Sequence, residues 1–306
     1  MDSLAANPYA FALLAAFLWA ASSPAISHGL KVARTTTSPS ETVVIGLNLA
    51  IFVGAGLLTA IRGVPDANLM AQPFVIAAGL LTFPVGTGLY YVASVWYRNR
   101  AAIAAQFANV KPLITIPAGL MFFGEMLSGT SIFAALCITL GIVVIIYGVA
   151  QKHTSFGAMW FGLFLALSWS MGEISVRIAA MQSSRFDIAH ASLVASIPVA
   201  LLAWAVIRIA RSHTPVAWPP RPALAAFACH GALSFAGAYF FFFASISTHG
   251  LSHTVLITTA WPTLAIALSY LWDRDTLRNL STELLIAMAL FTLGSVVHVA
   301  GMALAP

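Results

Sequence analysis

Charged residues are scarce in this chain. Asp, Glu, Lys and Arg make up 8% of its 306 residues, whereas they make up about a quarter of an ordinary soluble domain. So few charges cannot cover a surface that faces water, and 60% of the residues are apolar. The composition therefore excludes an ordinary soluble domain and predicts a protein whose solvent is lipid.

Cysteine is rare, and the usual catalytic patterns are missing. The two cysteines, Cys137 and Cys229, lie in apolar segments without the paired spacing of a disulfide framework or a zinc site. None of the eight histidines lies in an HExxH pattern. The sequence also has no arrangement of Ser, His and Asp typical of a catalytic triad, no paired carboxylates and no phosphate-binding loop. We therefore expect no metal, no cofactor and no enzyme activity.

The positive charges do not indicate a nucleic-acid site. The net charge is +5, but Lys and Arg are dispersed between apolar runs and form no basic patch. The chain also opens with Asp2 and no early Lys or Arg, unlike a cleaved signal peptide. We therefore expect no nucleic-acid partner, and we expect the first apolar stretch to be retained as a helix.

Ten stretches are long and apolar enough to cross a bilayer as helices, which takes about 20 residues each. The first five predicted spans are residues 8–29, 39–61, 73–96, 101–123 and 130–150. The other five are residues 155–180, 187–209, 221–247, 251–272 and 281–303. The sequence therefore predicts an all-α integral membrane protein with ten transmembrane helices.

The second half of the chain repeats the first. Each copy has an aromatic pair, then a proline, an acidic residue and a closing Leu-Gly-x-Val-Val run. In chain order these residues are Tyr90, Tyr91, Pro112, Glu125 and Leu140 in one copy, and Phe242, Phe243, Pro262, Asp275 and Leu293 in the other. Residues 1–150 and 151–306 are thus predicted to be two five-helix repeats. An odd number of spans inverts the second repeat in the membrane, a pattern typical of secondary transporters.

The motifs of the first repeat resemble those of a known family. They are Asn109-Val-Lys-Pro112 with Gly119, Phe122-Phe-Gly-Glu125, and a final helix with Leu140-Gly141 and Gly148. Together they resemble the EamA-type repeat of the drug/metabolite transporter superfamily. In the second copy, Arg274-Asp275 replaces the Gly-Glu pair. The resemblance implies a ten-helix carrier, built of two EamA-like repeats, that moves a small organic solute across the membrane by alternating access.

The resemblance leaves the substrate open. It implies export or exchange of a small metabolite such as an amino acid, and the alternative is an exchanger of phosphorylated anions such as sugar phosphates or nucleotide sugars. A membrane enzyme for lipid-linked substrates and a non-transporting scaffold are weaker alternatives. The Ala-rich spans favour a bacterial inner membrane. Gly141 and Gly148 allow close helix packing, either within the chain or in a homodimer.

The distribution of Lys and Arg predicts a membrane orientation that differs from the one implied by the family resemblance. Loops on the side of the amino terminus hold few Lys or Arg residues, and the opposite loops hold more of them. The positive-inside rule therefore predicts both termini outside, and the orientation stays open.

Two ionisable residues are the main candidates for the transport site, because a charge at bilayer depth is costly. Glu173 follows Trp169 by one helical turn, and a carboxylate removed from water binds a proton more readily, so it is the coupling candidate. A structural pair with Arg177, one turn later, is the alternative. Lys111 precedes Pro112, which tends to kink a helix, and it is a candidate anchor for an anionic group. The alternative is that Lys111 reaches the membrane interface.

The remaining site candidates are mostly aromatic. We expect them to line a cavity between the first, third, fourth, sixth, eighth and ninth spans. Trp19 and Trp169 stand out because they lie 150 residues apart at matching places in the two repeats. His230 is either a protonation site or a buried, hydrogen-bonded histidine. The full set of predicted substrate-binding residues is Trp19, Tyr90, Tyr91, Asn109, Lys111, Trp169, Glu173, His230 and Trp261.

Overall fold

The computed structural model describes residues 9–96, 109–151, 156–182, 185–272 and 281–304. Within these ranges the chain is helical, with short connections and no strand. The helices of the first half are α1 (Ala10–Ala33), α2 (Pro39–Arg62), α3 (Ala67–Met70), α4 (Pro73–Leu80), α5 (Gly88–Trp96), α6 (Pro112–Phe123) and α7 (Gly129–Gln151). Those of the second half are α8 (Phe156–Ala180), α9 (Arg185–Ala195), α10 (Ile197–Ala210), α11 (Arg221–His230), α12 (Tyr239–His249), α13 (Leu251–Thr258), α14 (Trp261–Trp272) and α15 (Thr282–Ala303).

Nine helical stretches in the described ranges are long and apolar enough to cross a membrane. They coincide with nine of the predicted spans, and the all-α membrane fold is thereby confirmed. The fourth predicted span, 101–123, begins outside the described residues, and its described part is the 12-residue helix α6. The count of ten helices and the division into two inverted repeats therefore stay predictions.

Ion pairs and ring contacts define the two ends of the helical bundle. At the end where α1 begins, Phe11 stacks on Phe241 of α12, with ring centroids 6.0 Å apart. Arg62, which ends α2, pairs there with Asp187 of α9 at 2.8 Å. We call this the first end. At the second end, where α2 begins, buried Glu41 lies 3.4 Å from Arg211, just beyond α10.

Two membrane-spanning stretches are interrupted by wider π-helical turns. The first, π1 (Leu81–Thr87), joins α4 to α5 and contains Pro84, whose nitrogen cannot donate a hydrogen bond. The second, π2 (Gly231–Ala238), joins α11 to α12. The two turns lie 150 residues apart. A π turn changes the local hydrogen-bond pattern and often lies at a functional site.

Glycine brings the backbones into direct contact beside each π turn. A Cβ atom on Gly79 of α4 would overlap the carbonyl oxygen of Ser192 in α9. A Cβ on Gly231 of π2 would likewise overlap the backbone of Ala50 in α2. Each half of the chain thus sets an interrupted span directly against a helix of the other half, with no room for a side chain between them.

The predicted packing glycines lie between α7 and α15. Gly141 faces the ring of Phe291, and Gly294 faces the backbone of Ala134. Gly148 and Gly301 make similar close approaches, to Glu283 and to Thr130. Packing within the chain therefore explains these glycines without a second copy.

Candidate functional site

A cavity lies between the two halves of the chain. It encloses about 550 Å³ of space not filled by atoms. Residues of the first, third, fourth, sixth, eighth and ninth predicted spans line it, which are the six spans expected from the sequence. The lining residues are Trp19, Ser22, Ser23, Ile26, Thr87, Tyr90, Lys111, Trp169, Glu173, His230, Ser234, Tyr239 and Trp261.

An ion pair between the two halves is the main polar feature of this cavity. Nζ of Lys111 lies 2.6 Å from Oε1 of Glu173, and the two side chains are 14% and 4% exposed. Two alternatives that the sequence left open are therefore not supported. Lys111 does not reach the membrane interface, because Glu173 holds its ammonium group inside the protein. Glu173 pairs with Lys111 of the other half rather than with Arg177.

Lys111 stands immediately before the described helix α6. Asn109 and Val110 form turns, and the described helix α6 begins at Pro112, where a missing N–H costs nothing. The part of the fourth span before a kink, residues 101–108, lies outside the described residues, so the kink at Pro112 stays a prediction. The ammonium group also lies 5.0 Å from the ring centroid of Phe242 and 5.9 Å from that of Trp19, which adds cation–π attraction.

The second carboxylate oxygen of Glu173 is unused. Oε2 is buried and has no hydrogen-bond partner among the described residues. An ionised carboxylate can accept several hydrogen bonds, and leaving one oxygen unsatisfied away from water is costly. Because Glu173 lines the cavity, a donor group on a bound solute could satisfy this atom.

Trp169 is held against the first π turn. Its indole Nε1 donates to the carbonyl oxygen of Thr82 at 3.2 Å. The neighbouring Ser168 hydroxyl donates to the carbonyl oxygen of Leu81 at 2.7 Å. A Cβ atom on Gly86 would come within 2.6 Å of Trp169 Nε1, so glycine leaves the space that the indole occupies. The π turn of one half therefore positions a cavity tryptophan of the other half.

Aromatic rings form much of the cavity wall. Trp19 meets Tyr239 edge to face at 5.0 Å, and it lies 4.8 Å from the ring of Phe242. Phe83 packs edge to face on Tyr239 at 5.0 Å. Such contacts prefer fixed relative orientations, so the wall is well defined.

Seven of the nine predicted site residues line the cavity, and two do not. Tyr91 is fully buried beside it, against Phe227 and His230. Asn109 is buried two residues before Lys111 and does not line the cavity. His230 lines the cavity and packs edge to face on Phe235 at 5.3 Å.

Small hydroxyl residues of the cavity were not predicted from the sequence. Ser22 and Ser23 lie one turn after Trp19, and both hydroxyls donate to the Trp19 carbonyl at 2.9 Å. Ser23 occupies the place in the first repeat that Glu173 occupies in the second, which was the one available signal. Ser22, Thr87 and Ser234 could not be predicted as cavity residues. Many Ser and Thr hydroxyls in helices bond to their own backbone, and the sequence does not show which of them face a cavity.

Glu125 fastens the two halves together at the first end. Its Oε1 accepts from the backbone N–H of Leu251 at 2.7 Å, and its Oε2 accepts from that of Ser252 at 2.8 Å. Arg177 lies 3.4 Å from the same carboxylate. A carboxylate at the amino end of α13 also meets the positive end of the helix dipole. We call this arrangement the Glu125 clamp.

The glycines around Glu125 make room for the clamp. A Cβ on Gly119 would lie 2.5 Å from Oε2 of Glu125, and a Cβ on Gly250 would lie 2.6 Å from Oε1. Gly250 also has φ of +92°, a backbone conformation that other residues rarely adopt. Gly119 of the sequence motif therefore leaves the space that the Glu125 carboxylate occupies.

Comparison with known proteins agrees with this geometry. Residues 7–147 match the model of the EamA-like transporter family. The matched segment lies within the amino-terminal half of the chain, which is therefore similar to this family. The match confirms the resemblance seen in the sequence motifs, and it indicates a membrane transporter of the drug/metabolite type.

One of the solved crystal structures that match shares the fold over nearly the whole chain. It is 18% identical, covers 96% of this chain and 97% of its own, and superposes with a TM-score of 0.69. Its title, "Crystal structure of protein", states no function, so the likeness concerns the fold alone. Among curated protein sequences, none matches this chain.

Proposed function

We propose that this protein is a secondary transporter that exports or exchanges a small zwitterionic metabolite, an amino acid in the first instance, by alternating access. The observation that carries the proposal is the Lys111–Glu173 ion pair in the cavity between the two halves. The Ala-rich spans further support a location in a bacterial inner membrane.

Two opposite charges at one place suit a zwitterion. Lys111 offers a donor to a carboxylate, and Glu173 offers an acceptor to an ammonium group. Among the described residues that line the cavity, Lys111 is the one Lys or Arg and Glu173 the one carboxylate. Their formal charges cancel, so a phosphorylated dianion would leave uncompensated negative charge in a poorly hydrated space. This balance favours amino acids over the phosphorylated anions considered from the sequence.

The free oxygen of Glu173 supports the same assignment. Oε2 is buried without a partner while Oε1 is held by Lys111. An incoming ammonium group would satisfy Oε2 and allow Lys111 to turn toward the carboxylate of the solute. When Lys111 and the solute leave, a proton would compensate Glu173. The same exchange of partners makes Glu173 the coupling residue.

The aromatic wall suits the rest of the solute. Trp19, Tyr90, Trp169, Tyr239 and Trp261 surround the charged pair. Rings of this kind favour an apolar or aromatic side chain, because contact removes apolar surface from water. We therefore expect larger apolar amino acids to bind more tightly than glycine.

The Glu125 clamp supplies the conformational step. It joins the end of α6, in the first half, to α13 and Arg177 in the second half. Rocking of the two halves against each other would break these contacts at the first end and open the cavity there.

Ligand-dependent thermal stability of the purified protein tests the substrate class. A ligand at 100 times its Kd adds about 2.7 kcal/mol of stability, which raises the unfolding temperature by a few degrees. We expect a rise with a large apolar amino acid, and little or none with its decarboxylated amine or its deaminated acid. A rise with sugar phosphates alone would replace the proposal with the phosphorylated-anion exchanger.

Lys111→Ala provides the matched protein control. It should abolish the response to the amino acid while the protein remains monodisperse and helical. An unchanged response in this variant would remove Lys111 from the site.

A further inference from the structure

A second, apolar groove lies on the outer surface of the bundle, away from the cavity between the halves. The groove and its opening contain about 1060 Å³ of space not filled by atoms. Large apolar side chains in it are partly exposed, with Phe52 at 42% and Trp218 at 61%. The groove residues are Ile45, Asn48, Leu49, Phe52, Leu201, Trp204, Trp218, Leu224, Ala225 and Ala228.

All three helices that form this groove carry charged residues toward the same end. Arg208 lies one turn after Trp204 in α10, and Arg221 lies one turn before Leu224 in α11. Glu41 lies one turn before Ile45 in α2. Two contacts show that α2 and the end of α10 meet here, since Arg208 and Arg211 lie 3.9 Å and 3.4 Å from Glu41. The charged mouth of the groove is therefore at the second end.

The mouth of the groove has an excess of positive charge. Arg208 and Arg211 lie against the carboxylate of Glu41, and Arg221 is at the beginning of α11 toward the same end, so the formal sum of these four residues is +2. Glu41 is 2% exposed and holds two of the arginines, whereas Arg221 is exposed. The rings of Trp204 and Trp218 lie 6.2 Å apart in the groove itself. Tryptophan and arginine together are typical of the level where lipid headgroups meet acyl chains.

We propose that this groove is a binding site for an anionic phospholipid. One acyl chain would lie along Phe52, Leu201 and Leu224, and the phosphate group would meet the arginine cluster at the mouth. The lipid phosphate supplies the negative charge that the cluster lacks, whereas a zwitterionic headgroup supplies no net charge. The second end is also the end that the positive-inside rule assigns to the cytoplasm, whose leaflet carries anionic lipids.

A second copy of the chain fits the groove less well. A symmetric dimer through this face would bring the same patch of both copies together. Each patch has the same net positive charge, so the two would repel each other. The charge therefore favours a lipid as the occupant.

Quenching of tryptophan fluorescence by brominated lipids tests the proposal. The full-length protein is placed in phosphatidylcholine nanodiscs that contain a fixed fraction of acyl-brominated phosphatidylglycerol or acyl-brominated phosphatidylcholine. The signal of the groove is the difference between the wild type and a Trp204→Phe/Trp218→Phe variant. We expect brominated phosphatidylglycerol to quench this signal at a clearly lower mole fraction than brominated phosphatidylcholine.

Variants of the mouth make the test specific. Arg221→Gln should raise the half-quenching fraction of phosphatidylglycerol roughly fivefold, the effect of one cation at an anionic surface, and Arg221→Lys should largely restore it. Lys31→Gln is the matched control, because Lys31 is an exposed cation near the same end that does not line the groove. Its half-quenching fraction should stay close to that of the wild type.

Three results would overturn the proposal. Equal quenching by the two lipids would show that the arginines do not select a headgroup. An equal effect of Arg221→Gln and Lys31→Gln would show a general surface charge rather than a site. If neither brominated lipid quenches the groove tryptophans and cross-linking captures dimers through this face, the groove belongs to a second copy.

Discussion

We propose that Lys111 and Glu173 contribute to both stability and binding, and the two contributions can be separated. A buried ion pair is costly to desolvate, and removal of one partner leaves an uncompensated charge. The pair joins the first half of the chain to the second at 2.6 Å. Loss of transport in a single variant would therefore have two explanations, a damaged fold or a damaged site.

A comparison of single and double variants distinguishes these explanations. We expect Lys111→Met and Glu173→Gln each to cost about 3 kcal/mol of stability, because each leaves a buried charge without its partner. The double variant carries neither charge, so much of the stability should return. Transport should stay absent in all three variants. Thermal unfolding and vesicle transport are the two measurements, and transport by the double variant would show that the pair is structural.

The sequence predicted both residues in one site, but the one partner it suggested for Glu173, as an alternative, was Arg177. Arg177 lies four residues after Glu173, and local helix spacing favours such a pair. The actual partner, Lys111, lies 62 residues away in the other half. No local rule reports that contact, because it depends on how the two halves meet. The same tertiary packing takes Arg177 to Glu125 instead.

The first π turn is the element that connects the fold to the site. Its carbonyl groups at Leu81 and Thr82 accept from Ser168 and Trp169 of the opposite half. The side chain of a cavity tryptophan is therefore fixed by the irregular backbone of another helix. A regular helix at 81–87 would direct its carbonyl groups along its own axis.

Gly86→Ala tests this connection. The new Cβ would overlap Trp169 and the carbonyl oxygen of Leu81, and overpacking of this kind costs about 1–3 kcal/mol. We expect transport to fall at least tenfold, because Trp169 must leave the cavity wall. The measurement is initial transport rate per folded protein in vesicles.

Gly56→Ala is the matched control for this substitution. A Cβ at Gly56 of α2 would meet no atom within 4 Å, and alanine favours a helix more than glycine does. Its transport rate and stability should equal or exceed those of the wild type. Equal loss in both variants would mean that the Trp169 contact has no special importance.

Hydropathy predicted the helices well and their irregularities poorly. The length of an apolar run reports whether a helix can cross the bilayer, and nine described stretches agree with that prediction. The same pattern does not report where a helix widens into a π turn. Pro84 was a local signal for π1, but no proline marks π2, which packs by backbone contact at Gly231.

At the scale of the whole molecule, we propose that the Glu125 clamp holds the two halves together at the first end and so keeps the cavity closed there. The clamp residues lie just after α6, in α8 and in α13, so they belong to both halves. The sequence motif indicated that Glu125 mattered. It did not indicate the backbone N–H groups of Leu251 and Ser252 as partners, because any residue type supplies such groups.

Glu125→Gln should weaken this closure. The amide keeps one acceptor oxygen, but it loses the charge that attracts Arg177 and the end of α13. In a variant without Cys137 and Cys229, a cysteine placed at Ser23 reports access to the cavity. We expect a membrane-impermeant thiol reagent, added from the first end, to label it several times faster when Glu125 is Gln.

Glu41→Gln serves as the control for end specificity. Glu41 is also a buried carboxylate paired with arginine, but it lies at the second end. Its substitution should leave labelling from the first end unchanged. If both variants accelerate labelling from the first end equally, the effect is a general loosening of the bundle and the clamp has no gating role.

Counterflow in liposomes tests the central claim most directly. Vesicles that contain the purified protein are loaded with an unlabelled apolar amino acid, and uptake of the labelled amino acid is followed with and without the protein. The account predicts saturable, protein-dependent counterflow of amino acids, no counterflow of sugar phosphates, and loss of the signal in the Lys111→Met/Glu173→Gln variant. Counterflow confined to phosphorylated anions, or no counterflow of either class by a folded sample, would contradict it.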